Sequence, residues 1–126
     1  MKRCWFVVCL LAILLAGSIA VTCGMDGVHR PIAGELCRAA ICAQAEEPEQ
    51  AQADFRKAQA DWEKWAHFRA CFADHTPTEA VDQELAAARS SATLEEWPEF
   101  AASCARASKM VEAIGAAHAF NWWNLL

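Results

Sequence analysis

The sequence predicts an all-α protein: a small helical bundle of three main helices and a short N-terminal helix, preceded by a signal peptide or a single membrane span. Two observations predict this class. Three segments carry apolar residues at the spacing of one helix face. No segment shows the alternation of apolar and polar residues that a half-buried strand requires. At 126 residues, the chain has the length of a single domain.

The N-terminal segment has the composition of an export signal. Lys2 and Arg3 precede an apolar run, which ends in small residues that include Ser18 and Ala20. Small side chains at this spacing are what signal peptidase requires at its cleavage site. The uncharged run is also about 20 residues long, which is enough to span a bilayer if it is retained. We therefore predict residues 1–22 as a cleaved signal peptide or an uncleaved signal anchor.

Cys23 provides a third alternative for this segment. The stretch Ala20-Val21-Thr22-Cys23 is similar to a bacterial lipoprotein signal, in which the cysteine is lipidated. All three alternatives carry the rest of the chain across the membrane. We therefore expect an extracytoplasmic protein, in the periplasm or secreted, with membrane contact through its N-terminal segment.

The body of the chain is acidic. Of the 11 Lys and Arg residues, Lys2 and Arg3 precede Ala20, which leaves 9 against 16 Asp and Glu and a net charge of −7. An acidic surface repels nucleic-acid phosphates and anionic lipid headgroups. We therefore expect no nucleic-acid partner, and the charge is compatible with a basic protein partner.

Four cysteines of the body are predicted to form two disulfide bonds: Cys37, Cys42, Cys71 and Cys104. An oxidising compartment and a small core both favour disulfides. Cys37 and Cys42 lie about 140° apart on one helix and cannot pair without breaking it. We therefore expect each of them to bond to Cys71 or to Cys104.

Residues 23–34 are predicted to form a linker between the membrane and the domain. They show no periodicity and contain four residues that disfavour helices: Gly24, Gly27, Pro31 and Gly34. The disulfide-stapled helical domain is expected over residues 35–120, and its first element is a short helix at 35–45.

The central helix is predicted to run from Pro48 to about Ala73. Proline suits a first helical turn, and the acidic residues beside it favour a helix N-terminus. Each large aromatic side chain can bury about 150–250 Å², so a partner surface must cover the aromatic stripe of this helix. The stripe consists of Phe55, Ala58, Trp62, Trp65, Ala66, Phe68 and Phe72.

The next helix is predicted from its start signals. Thr76 as N-cap, Pro77 in the first turn and Glu79 three residues after the cap form a capping box. We expect this helix to end near Ser90, with an apolar stripe of Val81, Leu85 and Ala88.

The last helix is predicted to follow a break at 90–93 and to begin at Glu96 or Trp97, because Pro98 is tolerated only in a first turn. Its small apolar positions are expected to pack against the aromatic stripe of the central helix. They belong to the stripe Trp97, Phe100, Cys104, Ala107, Val111, Ile114 and His118.

Residues 121–126 form a predicted aromatic tail. Three interpretations stay open: the tail folds back over the bundle, docks into a partner protein, or lies at a membrane interface, where Trp is favoured. We predict a partner-binding surface from the tail and the central stripe, formed by Trp62, Trp65, Phe120, Trp122 and Trp123.

His67, Cys71 and His75 are the candidates for a metal site. They are spaced four residues apart and share one helix face, and both residue types bind zinc or copper. No matching pair of ligands follows elsewhere in the sequence, so we expect neither a metal nor another cofactor.

The sequence carries no motif of a nucleophilic, zinc-protease, phosphate-binding or haem-binding site. We therefore expect no enzyme activity. The segment Lys57-Ala58-Gln59, with Trp62, Trp65, Arg69 and Cys71, resembles a helix of small periplasmic lysozyme-inhibitor-like domains. This resemblance implies a binding role.

Together these features predict an extracytoplasmic, non-enzymatic protein-binding module, adaptor-like or inhibitor-like and stabilised by disulfides. The alternative is a single-pass structural subunit of a membrane-bound assembly. A periplasmic metal-binding protein ranks third.

Overall fold

The computed structural model describes residues 2–72 and 75–117. Within these ranges the chain forms helices and no strands, so the predicted all-α bundle is confirmed. The helices are α1 (Lys2–Gln44), α2 (Pro48–Lys64), α3 (Ala66–Phe72), α4 (His75–Thr93) and α5 (Trp97–Ala117).

α1 is one continuous helix of 43 residues, and the short helix predicted at 35–45 is only its last part. The prediction of a linker at 23–34 is wrong, because this stretch carries buried side chains at helical spacing. They are Met25, His29, Ile32 and Ala33. The other helices cover this apolar face. The face was not recognised in the sequence because three glycines and a proline interrupt it.

Pro31 lies inside α1 without ending it. A proline in a helix has no N–H to donate, and its ring crowds the carbonyl four residues earlier, which here belongs to Gly27. Both residues are exposed. Water therefore has access to the carbonyl that Pro31 leaves free, and the helix continues.

The first half of α1 projects from the bundle. Its apolar residues from position 4 to position 20 are all exposed. Among the described residues, α1 alone is long and apolar enough to cross a membrane, a property that signal sequences share. The chain thus has an N-terminal apolar helix of the kind that serves as a signal or an anchor.

The second half of α1 packs antiparallel to α5 and to α2. Ser108 of α5 donates a hydrogen bond to the backbone oxygen of Ala33 at 2.7 Å. Seven residues later in α5, Gly115 lies beside His29, which precedes Ala33 in α1, so the two helices are antiparallel. Trp62 near the end of α2 also contacts His29, with 6.1 Å between ring centroids.

α4 completes the bundle between α2 and α5. Arg106 of α5 forms an ion pair with Glu84 of α4 at 3.0 Å. Trp62 of α2 donates a hydrogen bond to Asp82 of α4 at 2.6 Å. Four helical segments therefore run alternately up and down, as in other short-loop helix bundles.

The two ends of the bundle differ. We call the end from which the apolar half of α1 projects the near end; it also carries α3, the start of α4 and the end of α5. The far end carries the turn between α1 and α2 and the turn between α4 and α5. In each turn a glutamate has a positive φ, 61° at Glu46 and 58° at Glu95.

The predicted apolar stripes of the last two helices are largely buried. Val81, Leu85 and Ala88 of α4 face the core. In α5 the stripe from Phe100 to Ile114 is buried, but it packs mainly on α1 and α4 rather than on the aromatic stripe. One ring pair, Phe55 and Phe100, joins α2 to α5, with 5.5 Å between centroids.

The break predicted at 90–93 lies later in the chain. α4 continues to Thr93, and Ser91 within it is buried. The turn consists of Leu94, Glu95 and Glu96, and α5 begins at Trp97 as predicted. The start of α4, at His75, lies one residue before the predicted N-cap.

Candidate functional site

Trp62 is predicted to bind a partner, but the structure places it in the core. Its side chain is 2% exposed. Its indole N–H donates to Asp82, and the guanidinium of Arg69 lies over its ring at 3.4 Å from the centroid. Trp62 therefore joins several helices at the near end and is not available to another protein.

Arg69 holds the junction between α2 and α3. It is 3% exposed, and its Nη1 donates to the carbonyl oxygen of Trp62 in the last turn of α2. A side chain thus satisfies one of the carbonyls that a helix end leaves without a partner. The central helix, predicted to run unbroken to about Ala73, is interrupted at Trp65.

The charge of Arg69 is incompletely compensated. Burial lowers the pKa of its guanidinium to about 10, and the charge of Asp82 opposes this shift. The Nε of Arg69 has no hydrogen-bond acceptor among the described residues. A groove of about 290 Å³ opens beside it, but Glu63 and Asp82 also line the groove, so it presents charges of both signs.

Trp65 is the described member of the predicted partner surface that is exposed, at 36%. It lies between α2 and α3, and the ammonium group of Lys64 is 5.5 Å from its ring centroid. The remaining predicted members, Phe120, Trp122 and Trp123, lie outside the described residues.

A buried acid connects α1 to α2 in the middle of the bundle. Glu35 is 3% exposed and accepts a hydrogen bond from Lys57. This hydrogen bond and the charge of Glu35 raise the pKa of Lys57. Arg38 lies 4.0 Å from the same carboxylate. The buried carboxylate therefore has two cationic neighbours, one on α1 and one on α2, and links the two helices.

A second groove, of about 520 Å³, runs between α1 and α5 near the near end. Small residues such as Ala33, Gly34 and Gly115 line this groove. Four charged residues also line it: Asp26, Arg30, Lys109 and Glu112. This groove was not predicted from the sequence, because part of its α1 side lies in residues 23–34, which were predicted to form a linker.

The far end exposes two aliphatic side chains. Ile41 near the end of α1 is 58% exposed, and Leu94 in the turn after α4 is 63% exposed. The two far-end turns also carry four exposed acidic residues, Glu46, Glu47, Glu95 and Glu96. Large exposed aliphatic residues with a polar rim are typical of protein contact surfaces.

The structure does not support the predicted disulfide bonds, because all seven cysteines are free thiols. Cys104 is fully buried in the core, whereas Cys37 and Cys71 are exposed on the surface. Burial raises the pKa of the Cys104 thiol to about 12. Burial, followed by the charges of Asp54 and Glu47, also raises the pKa of Cys42.

Two of the three candidate metal ligands lie on the surface of α3, and the side chain of the third is not among those that the structure describes. His67 and Cys71 are exposed, and the side chain of His75 lies outside the described residues. Among the side chains that the structure describes, no three His, Cys, Asp or Glu residues are grouped closely enough to hold a metal ion.

Comparison with known proteins places the bundle in a family. The model of the family described as Domain of unknown function (DUF4363) matches residues 34–125. The chain belongs to this family. No curated protein and no solved structure matches the chain. The DUF4363 match is to a different family from the lysozyme-inhibitor-like domains that the sequence of α2 and α3 resembles.

The DUF4363 region covers α2 to α5 and the last part of α1, but the bundle is longer than this region. Met25, His29 and Ile32 precede Gly34, where the match begins, and all three are buried against the other helices. The part of α1 that completes the core therefore extends towards the apolar segment.

Proposed function

We propose that this DUF4363 protein is a membrane-anchored, extracytoplasmic module that binds another protein and catalyses no reaction. The observation that carries the proposal is the continuity of α1. Its exposed apolar half leads without a break into the half that is buried in the bundle. A bundle that shares a helix with a membrane span is held directly at the membrane surface.

Continuity favours retention of the span over its cleavage. Ser18 and Ala20, the candidate recognition residues of signal peptidase, lie within α1. The hydroxyl of Thr22 donates to the backbone oxygen of Ser18 at 2.9 Å, as expected inside a helix. Cleavage after Ala20 would cut α1 inside this hydrogen-bonded turn, whereas retention keeps the helix whole.

The charge distribution favours an outward-facing bundle. Lys2 and Arg3 precede the apolar half of α1, and basic residues beside a span stay in the cytoplasm. The bundle is then on the opposite side, outside the cytoplasm.

The far end is the surface that we propose for the partner. It is farthest from the membrane, and Ile41 and Leu94 provide exposed apolar contacts there. The acidic rim from the two turns complements a basic surface, so the partner is a protein with a basic patch. Trp65, at the near end, is not part of this surface.

Mass and topology of the mature protein test the anchor. We expect the full-length mass after purification from membranes, resistance to extraction by carbonate, and protease access to the bundle only from outside the cytoplasm. A mature mass that lacks about the first 20 residues would overturn the proposed retention.

Photo-crosslinking in cells tests the partner surface. A photoreactive amino acid in place of Leu94 is expected to form an adduct with a basic protein, and the same substitution at Lys109, which is exposed elsewhere, is the control. Changing the four rim glutamates to glutamine should abolish the adduct. Adducts of equal yield at both positions would contradict the proposal.

A single-pass structural subunit of a membrane-bound assembly is the second candidate function. The continuous α1 favours it, because a rigid span is also able to pack against other spans. The same photoreactive residue placed at Leu11, which is exposed in the apolar half of α1, separates the two candidates. An integral membrane protein would be captured mainly from Leu11, and a soluble or peripheral partner mainly from Leu94.

A further inference from the structure

The outward side of α1 carries cysteines at a regular spacing. Cys9, Cys23 and Cys37 are exposed free thiols, and each is separated from the next by 14 residues, which is two heptads. Residues that are whole heptads apart lie on nearly the same side of a helix. One side of α1, which we call the cysteine face, therefore runs from the apolar half into the bundle and is exposed at all three thiols.

Small residues lie between these thiols on the cysteine face. Ala20, Gly27 and Gly34 are each three or four residues from the nearest cysteine, the spacing of a seam along which two helices pack. Ala20 and Gly27 are exposed, and Gly34 is half-buried. A Cβ added at either glycine would meet nothing within 4 Å. Space is therefore open along this face for the backbone of another helix to approach.

The groove between α1 and α5 is continuous with the cysteine face. Arg30, Gly34 and Cys37 belong to both. On the α5 side the groove is lined by small residues that include Ala105 and Ser108. A helix that packs on the cysteine face therefore also contacts α5, and the charged residues of the groove lie next to it.

Two opposite charges lie across this groove at the same level. α5 is antiparallel to α1, and Ser108 is level with Ala33, to whose backbone oxygen it donates. Glu112 follows Ser108 by four residues, and Arg30 precedes Ala33 by three. At about 1.5 Å per residue, Glu112 is within about 2 Å of the level of Arg30 along the helix axes. The groove thus has a cation on its α1 side and an anion on its α5 side.

Each of these two charged residues pairs with an exposed neighbour on its own helix. Arg30 lies 3.9 Å from Asp26, and its side chain is 83% exposed. Glu112 lies 3.2 Å from Lys109, and its side chain is 64% exposed. Exposed pairs of this kind contribute little to stability, about 1 kcal/mol or less. Both residues can therefore turn towards an opposite charge on a second molecule.

We infer that the protein forms a parallel homodimer, in which the cysteine face of α1 in each copy packs in the groove between α1 and α5 of the other. This inference rests on the proposed retention of α1 as a span, because the membrane then holds both copies in the same orientation. Their two-fold axis is parallel to the membrane normal, so residues at one level stay level in the dimer.

Charge complementarity is the reason for choosing a second copy as the occupant. In this dimer Arg30 lies beside the partner subunit's Glu112, and by symmetry Glu112 lies beside the partner subunit's Arg30. Opposite charges therefore meet at two equivalent points, which fixes the register of the two copies. Cys23 and Cys37 lie on the contact face, each close to its counterpart.

Oxidative crosslinking of native cysteines in membranes tests the dimer. Three full-length variants each keep Cys23, Cys37 or Cys71 and the buried Cys104, with alanine at the other cysteines. Copper phenanthroline in air joins two thiols as a disulfide; the two protons pass to the buffer and the two electrons to oxygen. The bond forms only where the Cα atoms come within about 7 Å. We expect dimers on a non-reducing gel from Cys23 and from Cys37, and monomers from Cys71, which is exposed on α3.

Exchange of the two charges tests the register. In the variant that keeps Cys37, Arg30→Glu or Glu112→Arg places like charges together and should lower the dimer yield by about two- to fivefold. The double variant R30E/E112R restores opposite charges and should restore the yield. Arg89→Glu reverses an equally exposed charge on α4 and is the control. Single variants with the yield of the control would overturn the proposed register.

Carbonate extraction of the same membranes separates the dimer from the anchor. Full-length protein that resists extraction, but gives no more dimer from Cys37 than from Cys71, would overturn the inference and leave the anchor intact. Adducts of Cys37 with a different protein in place of the dimer would also overturn it. A mature chain that begins near Cys23 would overturn the anchor and, with it, the parallel dimer.

Discussion

At the scale of single residues, Trp62 was predicted to bind a partner but is buried in the core, where it links several helices. Its ring contacts His29 of α1 and Arg69 of α3, and its N–H donates to Asp82 of α4. A buried indole needs a hydrogen-bond acceptor, and Asp82 provides it. The periodicity of α2 placed Trp62 and Trp65 on one stripe but could not rank their burial, because the helix breaks between them.

A matched pair of substitutions separates the two tryptophans. Trp62→Ala is expected to lower the free energy of unfolding by about 3–5 kcal/mol, since it empties a closed site. Trp65→Ala removes a ring that is already 36% exposed, so its effect should be near 1 kcal/mol. Urea unfolding in detergent, followed by circular dichroism, measures both. Equal losses would show that Trp65 is as well packed as Trp62.

Cys104 is predicted to be inert as a thiol. Its pKa is raised to about 12, so at pH 8 almost none of it is the reactive thiolate. Exposed Cys37 and Cys71 should react with a maleimide within minutes, whereas Cys104 should react only in denaturant. Mass spectrometry counts the adducts. If Cys37 and Cys71 required a reductant before labelling, the thiols would be paired and the free state described above would be incorrect.

The raised pKa of Cys104 also sets a pH dependence. The folded protein favours the neutral thiol, so this contribution to stability is complete below pH 9 and is lost as pH rises towards 12. The loss of stability above pH 9 should therefore be smaller in Cys104→Ala than in the wild type, as measured by thermal unfolding. Identical pH profiles would show that Cys104 is not buried in the folded protein.

At the scale of elements, α1 is where local sequence and tertiary packing disagree. Three glycines each cost a helix about 1 kcal/mol and an internal proline about 3 kcal/mol, which predicts a linker at 23–34. Burial of a side chain such as Met25, Ile32 or Leu36 contributes about 1.5–3 kcal/mol each and offsets these costs. The free energy of burial cannot be read from residues 23–34 alone, because the covering surfaces belong to α2 and α5, elsewhere in the chain.

Two glycines of the helices provide a matched test of this packing. A Cβ at Gly34 meets nothing within 4 Å, so Gly34→Ala should stabilise the protein by about 0.5–1 kcal/mol through helix propensity. At Gly115 the added Cβ meets the Cβ of His29 at 3.2 Å, so α1 and α5 must separate slightly. Gly115→Ala is expected to be destabilising by about 1 kcal/mol.

Thermal unfolding in the same detergent compares the stability of the Gly34→Ala and Gly115→Ala variants with that of the wild type. Stabilisation by Gly115→Ala as large as that by Gly34→Ala would show that α5 does not approach α1 closely at His29. The starts of α2 and α5 depend on local chemistry rather than on packing, because Pro48 and Pro98 each lie in a first helical turn.

At the scale of the whole molecule, α1 connects the apolar N-terminal segment to the bundle as one continuous helix. The native Cys9 and Cys37 are both exposed and report on this continuity. With the other five cysteines replaced by alanine, spin labels on these two residues should show a narrow distance distribution near 42 Å, about 1.5 Å for each of the 28 intervening steps. Pulsed electron paramagnetic resonance measures it in nanodiscs.

A flexible insertion is the control for this distance. Four Gly and Ser residues inserted after Cys23 should broaden the distribution, because they interrupt the helix between the two labels. A wild-type distribution as broad as that of the insertion variant would show that a flexible linker separates the membrane from the domain.

The sequence by itself determined the helical class, the apolar N-terminal segment, the stripes of α4 and α5 and the starts of α2 and α5. These features depend on periodicity, composition and proline, which act over a few residues. Only the tertiary structure decided that residues 23–34 are helical, that Trp62 is buried, and that the predicted disulfide partners stay apart. Each of these depends on which helices meet, and that is set by contacts between residues far apart in the chain.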